Sequence, residues 1–264
     1  MELTGMPPVG MHPHRGFNEI PYLKQGTWVG TDYWNPNGGH HPPMRGGGLQ
    51  WGKVGSGIEH GAKFDRGSSE PVHGFQLWVN LPAAQKLDPP CFQDALPEAL
   101  PVCEVSELVK VKTLVGDGSP IETGNVKVQY VDYMLSAGGE INHTFPPDFS
   151  TAFLYIYSGA GSFGTGGEIA RKGEVMQVLA PAGQELMLKA NQKSDLGALL
   201  IAGVPLREPM LQHGPFVMST REQLVQAFRE YQAGKLCKDT CDFILHTASG
   251  SRRSQVRAGR ARGR

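Results

Sequence analysis

The stretch MHPHRGF, residues 11–17, sets His12 and His14 two positions apart with only Pro13 between them. Alternate side chains of an extended strand leave on the same face, so both imidazoles point into one cavity, which is how a strand offers two metal ligands. A helix would turn them about 200° apart, by its ~3.6-residue period. Pro13 would also be poorly tolerated inside a helix. The stretch therefore predicts a strand with two inward imidazoles, and a chain built mainly of strands.

A mononuclear site takes more than two ligands. His60 is the third candidate, in LQWGKVGSGIEHGAKF (residues 49–64), a segment of strand-like apolar residues broken by glycines. With HPHRGF, YLKQG, LQW, GSGIEH, EPVHGFQLWVNL, GVPLREP and HGPFVM, the chain resembles the pirin family over residues 11–235. That resemblance implies an all-β bicupin of two β-barrels. It also implies iron, Fe(2+), held by His12, His14 and His60, and a glutamate two residues after the third histidine. Here that position is Ala62, so the expectation is an impaired site with a three-nitrogen face. Family members also carry a longer leader ahead of the histidine motif, so the expectation is either a truncated chain or an incomplete first barrel, with an unpaired strand edge then exposed.

Glycine (35) and proline (20) make up about a fifth of the 264 residues, which fits many tight turns and stays below a disordered composition. The first 250 residues hold 19 basic against 25 acidic side chains, a balance of −6, while six arginines crowd residues 251–264. A weakly acidic body is not a nucleic-acid surface, and only the basic tail, expected to be disordered, could contact nucleic acid or serve as a nuclear address. Cys91, Cys103, Cys237 and Cys241 are too few and scattered for a disulfide framework, and Cys237 with Cys241 lacks a second ligand pair for zinc. A reducing compartment, cytoplasmic and/or nuclear, is expected. No signal-peptide pattern opens the chain, and the apolar run near residues 196–206 is too short for a membrane span, so no membrane partner is expected.

Short apolar runs between Gly, Pro and Asn clusters over residues 12–81 read as barrel strands. The Pro- and acid-rich residues 82–101 mark a boundary, giving a metal-binding barrel over 1–101, a second barrel plus helix over 102–250, and the tail 251–264. Trp28, Trp34, Trp51 and Trp78 are expected to fill the barrel and its packing. His40 and His41, flanked by Gly and Pro, are expected in a solvated loop, and His73 is expected to be structural. GAGSFG (159–164) matches G-x-G-x-x-G, but a hairpin-like sequence follows where a dinucleotide site needs a helix. His143 has no partner ligand two positions on, so the second barrel is expected to be metal-free. Over residues 219–234, Ser219 and Glu222 suggest a capping box, with Leu224, Val225, Phe228 and Tyr231 at helical spacing.

Two functions compete at this level. One is a metal-dependent dioxygenase acting on a flavonol-like small molecule, since the resemblance implies quercetin 2,3-dioxygenation. Its missing step is proton removal, for which Glu59, Glu19 and Glu70 are candidates; strand alternation turns Glu59 to the opposite face. The other is an iron-responsive co-regulator that contacts a transcription factor, which the resemblance also implies. A diverged bicupin without metal is the third reading.

Overall fold

In the computed structural model the described residues are 2–4, 9–34, 41–64, 71–179 and 181–256. Their regular structure is mainly strands, with one α-helix, and they divide into two compact units, one from residues 1–99 with 206–264 and one from residues 100–205.

The first unit begins with β1 (Glu2–Thr4), β2 (Val9–His14), β3 (Phe17–Gln25), β4 (Thr27–Asp32), β5 (Met44–Arg45), β6 (Leu49–Lys53), β7 (Ile58–Phe64), β8 (His73–Asn80) and β9 (Cys91–Ala95). The second holds β10 (Val102–Ser106), β11 (Val109–Val115), β12 (Val128–Leu135), β13 (Glu140–Thr144), β14 (Thr151–Phe163), β15 (Glu168–Arg171), β16 (Val175–Val178), β17 (Glu185–Ala190) and β18 (Leu196–Gly203). The chain then returns to the first unit with β19 (Leu211–His213), β20 (Phe216–Met218), α1 (Arg221–Gln232), β21 (Cys241–Thr247) and β22 (Gly250–Val256).

In the first unit a four-stranded sheet, β2-β7-β4-β5, faces a seven-stranded sheet, β1-β8-β3-β6-β9-β21-β22. The chain crosses between them at Arg15-Gly16. Gly16 has φ +89°, and a Cβ there would meet the Val217 carbonyl oxygen at 2.0 Å, so only glycine fits this corner. Buried Lys86 clamps the same corner, donating to the carbonyls of Gly16 (2.7 Å) and Val217 (3.0 Å). Burial lowers its pKa to about 8. Arg15 is also buried; it donates through Nε to the Ser56 carbonyl (2.6 Å) and through Nη2 to Glu230 Oε2 of α1 (2.6 Å).

The second unit packs Val131, Tyr133, Leu154, Ile156, Leu188 and Leu200 into one core from alternate positions of its strands. GAGSFG ends β14 and leads into β15, its antiparallel partner, so the hairpin reading holds and no helix follows the glycines.

Three sequence expectations need correction here. The C-terminal limit differs from the division at 102–250: α1, β21 and β22 belong to the first unit, because β21 pairs in parallel with β9 and Glu230 neutralises buried Arg15. The tail expected to be disordered from residue 251 is ordered through β22, where Arg252 and Arg253 pair with Leu245 and Ile244; Arg257, Arg260, Arg262 and Arg264 lie outside the described residues. The helix starts one residue later than the capping box suggested. Thr220, not Ser219, is the N-cap, and its reciprocal partner is Gln223, not Glu222. Leu224 and Ala227 are the buried residues of its inner face, whereas Val225 and Tyr231 are exposed. Among the described residues no helix is long and apolar enough to cross a membrane.

Candidate metal centre

His12 and His60 face one another across the β2–β7 pair, and His14 follows two residues along β2. The three imidazole centroids lie 4.6 to 5.0 Å apart. The expected convergence on one face is therefore present. A fourth group joins them from the opposite sheet. Glu19 on β3 brings a carboxylate oxygen so close that one ligand atom from each of His12, His14, Glu19 and His60 lies within 4.8 Å of the others. The expectation of a three-nitrogen face without a carboxylate is revised accordingly: position 62 is alanine, and the acid comes from a different strand.

The orientation of each ring follows from what its other nitrogen touches. His12 Nδ1 lies 2.8 Å from the Gly10 carbonyl and His14 Nδ1 3.4 Å from the Pro215 carbonyl. A carbonyl only accepts, so Nδ1 carries the proton in both rings and Nε2 keeps its lone pair for the cluster. Pro215 lies in the C-terminal return, just before β20, whose Val217 amide donates to the Arg15 carbonyl at 3.0 Å. The residues after the second unit thus set one histidine of the first.

Glu19 is almost wholly buried. Gln76 donates to its Oε1, while Oε2 stands 2.9 Å from His60 Nε2. Burial pushes the Glu19 pKa up, but the facing imidazoles of His60, His14 and His12 outweigh it and hold the carboxyl below its usual range. Burial pushes His14 down to about 4 and, with His60 beside it, lowers His12 as well. Both rings are neutral near pH 7, as metal ligation requires.

The atoms themselves test whether a cation fits. His14 Nε2, His60 Nε2 and Glu19 Oε2 are buried and make no aligned hydrogen bond. Orphaned polar atoms of this kind are costly in a folded interior, and a divalent cation would satisfy all of them at once. Nitrogen and oxygen donors in this ratio fit a first-row metal such as iron.

The cluster opens into a cavity of about 550 Å³. Trp28, Trp78 and Phe92 supply flat apolar surface, and Val9, Pro21 and Ala62 complete much of the wall. Trp78 packs at a tilt on Phe17 at 4.2 Å and meets the His14 ring edge-on at 5.2 Å, so Trp28 and Trp78 border the cavity as well as filling the barrel.

A second polar group lines the same cavity. His41, expected in a solvated loop, is buried, with Nδ1 2.7 Å from Asp94 Oδ2 and Nε2 3.0 Å from Asp32 Oδ2. Gln50 donates to Asp94 Oδ1 at 2.6 Å. Burial opposes the charge on His41, but Asp94 and Asp32 outweigh it and push its pKa up to about 10. The proline and glycine around this residue hid it, because loop composition gives no sign of carboxylates contributed by distant strands. His40 and Glu70 lie outside the described residues. Glu59 is outside the cavity lining and lies near Cys237, as alternation along β7 requires. His73 stays out of the cavity as well, packing on Phe75. In the second unit, His143 is buried against the Tyr133 hydroxyl at 2.6 Å and belongs to no cluster of metal-ligating side chains among the described residues.

The model of the Pirin family matches residues 2–79, and that of the Pirin C-terminal cupin domain matches residues 130–237. Human pirin is 33% identical over 239 residues, covering 89% of this chain and 80% of its own length. The chain belongs to the pirin family. It is thus a pirin-like bicupin, with a pirin domain and a pirin C-terminal cupin domain. A Pseudomonas aeruginosa pirin relative with the provisional name quercetin 2,3-dioxygenase is 37% identical over 234 residues, covering 85% of this chain and 79% of its own. A solved quercetin 2,3-dioxygenase from Acinetobacter baumannii superposes with a TM-score of 0.79 at 26% identity, covering 89% of this chain and 83% of its own.

Proposed function

We propose that this pirin is a metal-dependent dioxygenase of the quercetin 2,3-dioxygenase type, with His12, His14, Glu19 and His60 holding Fe(2+) and a flavonol as substrate. The observation that carries this reading is the set of orphaned ligand atoms, His14 Nε2, His60 Nε2 and Glu19 Oε2, at the base of an aromatic-walled cavity. Similarity to relatives named as quercetin dioxygenases supports the substrate class.

When bound, the ion supplies a Lewis acid that polarises the substrate's oxygens. The rest of the work belongs to the protein. Trp28, Trp78 and Phe92 offer flat faces that hold a fused aromatic ring system and keep water off it. Glu19 is the base best placed to receive the substrate's hydroxyl proton, because its carboxylate borders the cavity among the three histidines. Gln76, by donating to Oε1, fixes the direction in which Oε2 points.

The four cysteines are free thiols, which supports a reducing compartment, the cytoplasm and/or nucleus, as the place of action. Metal content and oxygen uptake with quercetin, measured on protein purified without a histidine tag, test the proposal. One metal ion per chain and quercetin-dependent oxygen consumption are expected. A chain that takes up no metal overturns it. Full metal occupancy without turnover points instead to the co-regulator that would contact a transcription factor.

A further inference from the structure

The four clustered side chains are not equally covered. His14 and Glu19 are buried, with His14 Nε2 and Glu19 Oε2 unpartnered, whereas His12 and His60 are only partly buried. The open side of the cluster is therefore the His12–His60 side, on the four-stranded sheet. The strand register fixes what borders it. Ala62 follows His60 by two residues along β7 and so shares its face. It pairs with Val9 of β2 on one side and Gly30 of β4 on the other, and all three line the cavity.

The same face leads to an apolar end. Trp28 of β4 pairs with Phe64, four residues beyond His60, which places its backbone roughly 13 Å along the sheet from the level of His60 at ~3.3 Å per residue. Trp28 packs with Leu23, Met44 and Val72, and Ala62 packs against that group. Ala62 thus stands midway between the imidazoles and Trp28, and neither it nor Gly30 carries a side chain beyond Cβ. A flavonol is divided in the same way, with adjacent hydroxyl and keto oxygens at one edge and aromatic rings beyond them.

We infer that Ala62 is a specificity-determining residue: the space over its methyl group is where the ring system of the substrate passes from the histidine cluster towards Trp28. This rests on the reading of the cavity as a flavonol site and adds how the substrate lies in it. With the carboxylate of the cluster supplied by Glu19 from the opposite sheet, the wall at position 62 is small and apolar. A leucine there would fill the space without offering a ligand atom. Fused rings would then be turned away, while a single ring bearing the same two oxygens would still fit.

The test is binding to Fe(2+)-loaded protein without oxygen, read by quenching of tryptophan fluorescence. The probes are quercetin and maltol, a single pyranone ring with the same adjacent hydroxyl and keto oxygens. Wild-type protein is expected to bind quercetin about tenfold or more tightly than maltol, because the additional rings bury apolar surface. Ala62→Leu is expected to weaken quercetin about tenfold or more and to leave maltol within about twofold. Metal content, measured on the same samples, should stay at the wild-type level. Ala62→Val serves the same purpose if the leucine variant does not fold. Equal loss of both probes in a folded variant overturns the role of Ala62, since position 62 would then act through the metal, and so does unchanged quercetin affinity. Wild-type protein that binds quercetin no more tightly than maltol overturns it even if neither variant folds, and leaves the metal centre standing. Failure of metal-loaded wild-type protein to bind either probe removes the flavonol reading, and this inference with it.

Discussion

Glu19 Oε2 lies 2.9 Å from His60 Nε2, although Glu19 stands on the seven-stranded sheet and His60 on the four-stranded one. The carboxylate of the candidate centre is thus delivered across the gap between sheets. The strand that bears His60 presents alanine at the position where the family resemblance implies an acid.

Removing that carboxylate should cost metal. Glu19→Ala is expected to lower divalent-metal affinity by about a hundredfold, and Glu19→Gln by somewhat less, because the amide keeps one oxygen donor but not its charge. Isothermal titration of apo-protein with Fe(2+) or Mn(2+) under reducing conditions checks this; wild-type affinity in Glu19→Ala would exclude Glu19 as a ligand.

Ala62 lines the same cavity as His60. Ala62→Glu alone would bring a second carboxylate beside Glu19, and like charges in a buried site oppose one another. Little gain in metal affinity, or a loss, is expected. In the Glu19→Ala background the same substitution should recover affinity by about tenfold or more. The difference in effect between the two backgrounds is what a double-mutant cycle measures.

Two buried histidines should tilt stability in opposite directions with pH. Burial depresses His143 to about 4 from its ordinary 6.5, so the unfolded chain binds the extra proton between those values. Its contribution is complete above pH 6.5 and is lost as the pH falls towards 4. His41 is raised to about 10, so its contribution is complete below pH 6.5 and is lost as the pH rises towards 10. Urea unfolding across this range should show the gap between wild type and His143→Gln shrinking on acidification. The gap between wild type and His41→Gln should shrink on the alkaline side.

The Arg15–Glu230 pair fastens the histidine strand to α1. Arg15→Met leaves the Ser56 carbonyl and the Glu230 carboxylate without their donor, and a loss of about 3 kcal/mol is expected. Glu230→Gln keeps a neutral acceptor at the partly exposed end and should cost about 1 kcal/mol. Denaturant midpoints check both, and equal, small effects would mean that the pair is not what holds the helix.

The sequence by itself determined whatever depends on local period. Proline-spaced His12 and His14 had to share a face, His60 offered a third ring, and Glu59 had to turn away, because side chains alternate along any strand. Gly159 to Gly164 was legible as a hairpin, and the α1 segment as a helix, because turn chemistry and a four-residue period are local too. The tertiary structure alone decided which faces meet. Glu19 was one of three acids that spacing could not rank, and it reached the cluster only because Gly16 lets the chain turn from one sheet to the other. His41 sat in a sequence of turn formers, yet Asp32 and Asp94, from strands on different sheets, draw it into the interior. The last segment looked like an appendage of the second barrel, but β21 found its partner in β9 and Pro215 its place behind His14. The cause is common to all three. Alternation fixes the side of a strand on which a residue lies, whereas the partner across the core is chosen by burial and charge neutralisation between segments far apart in the chain.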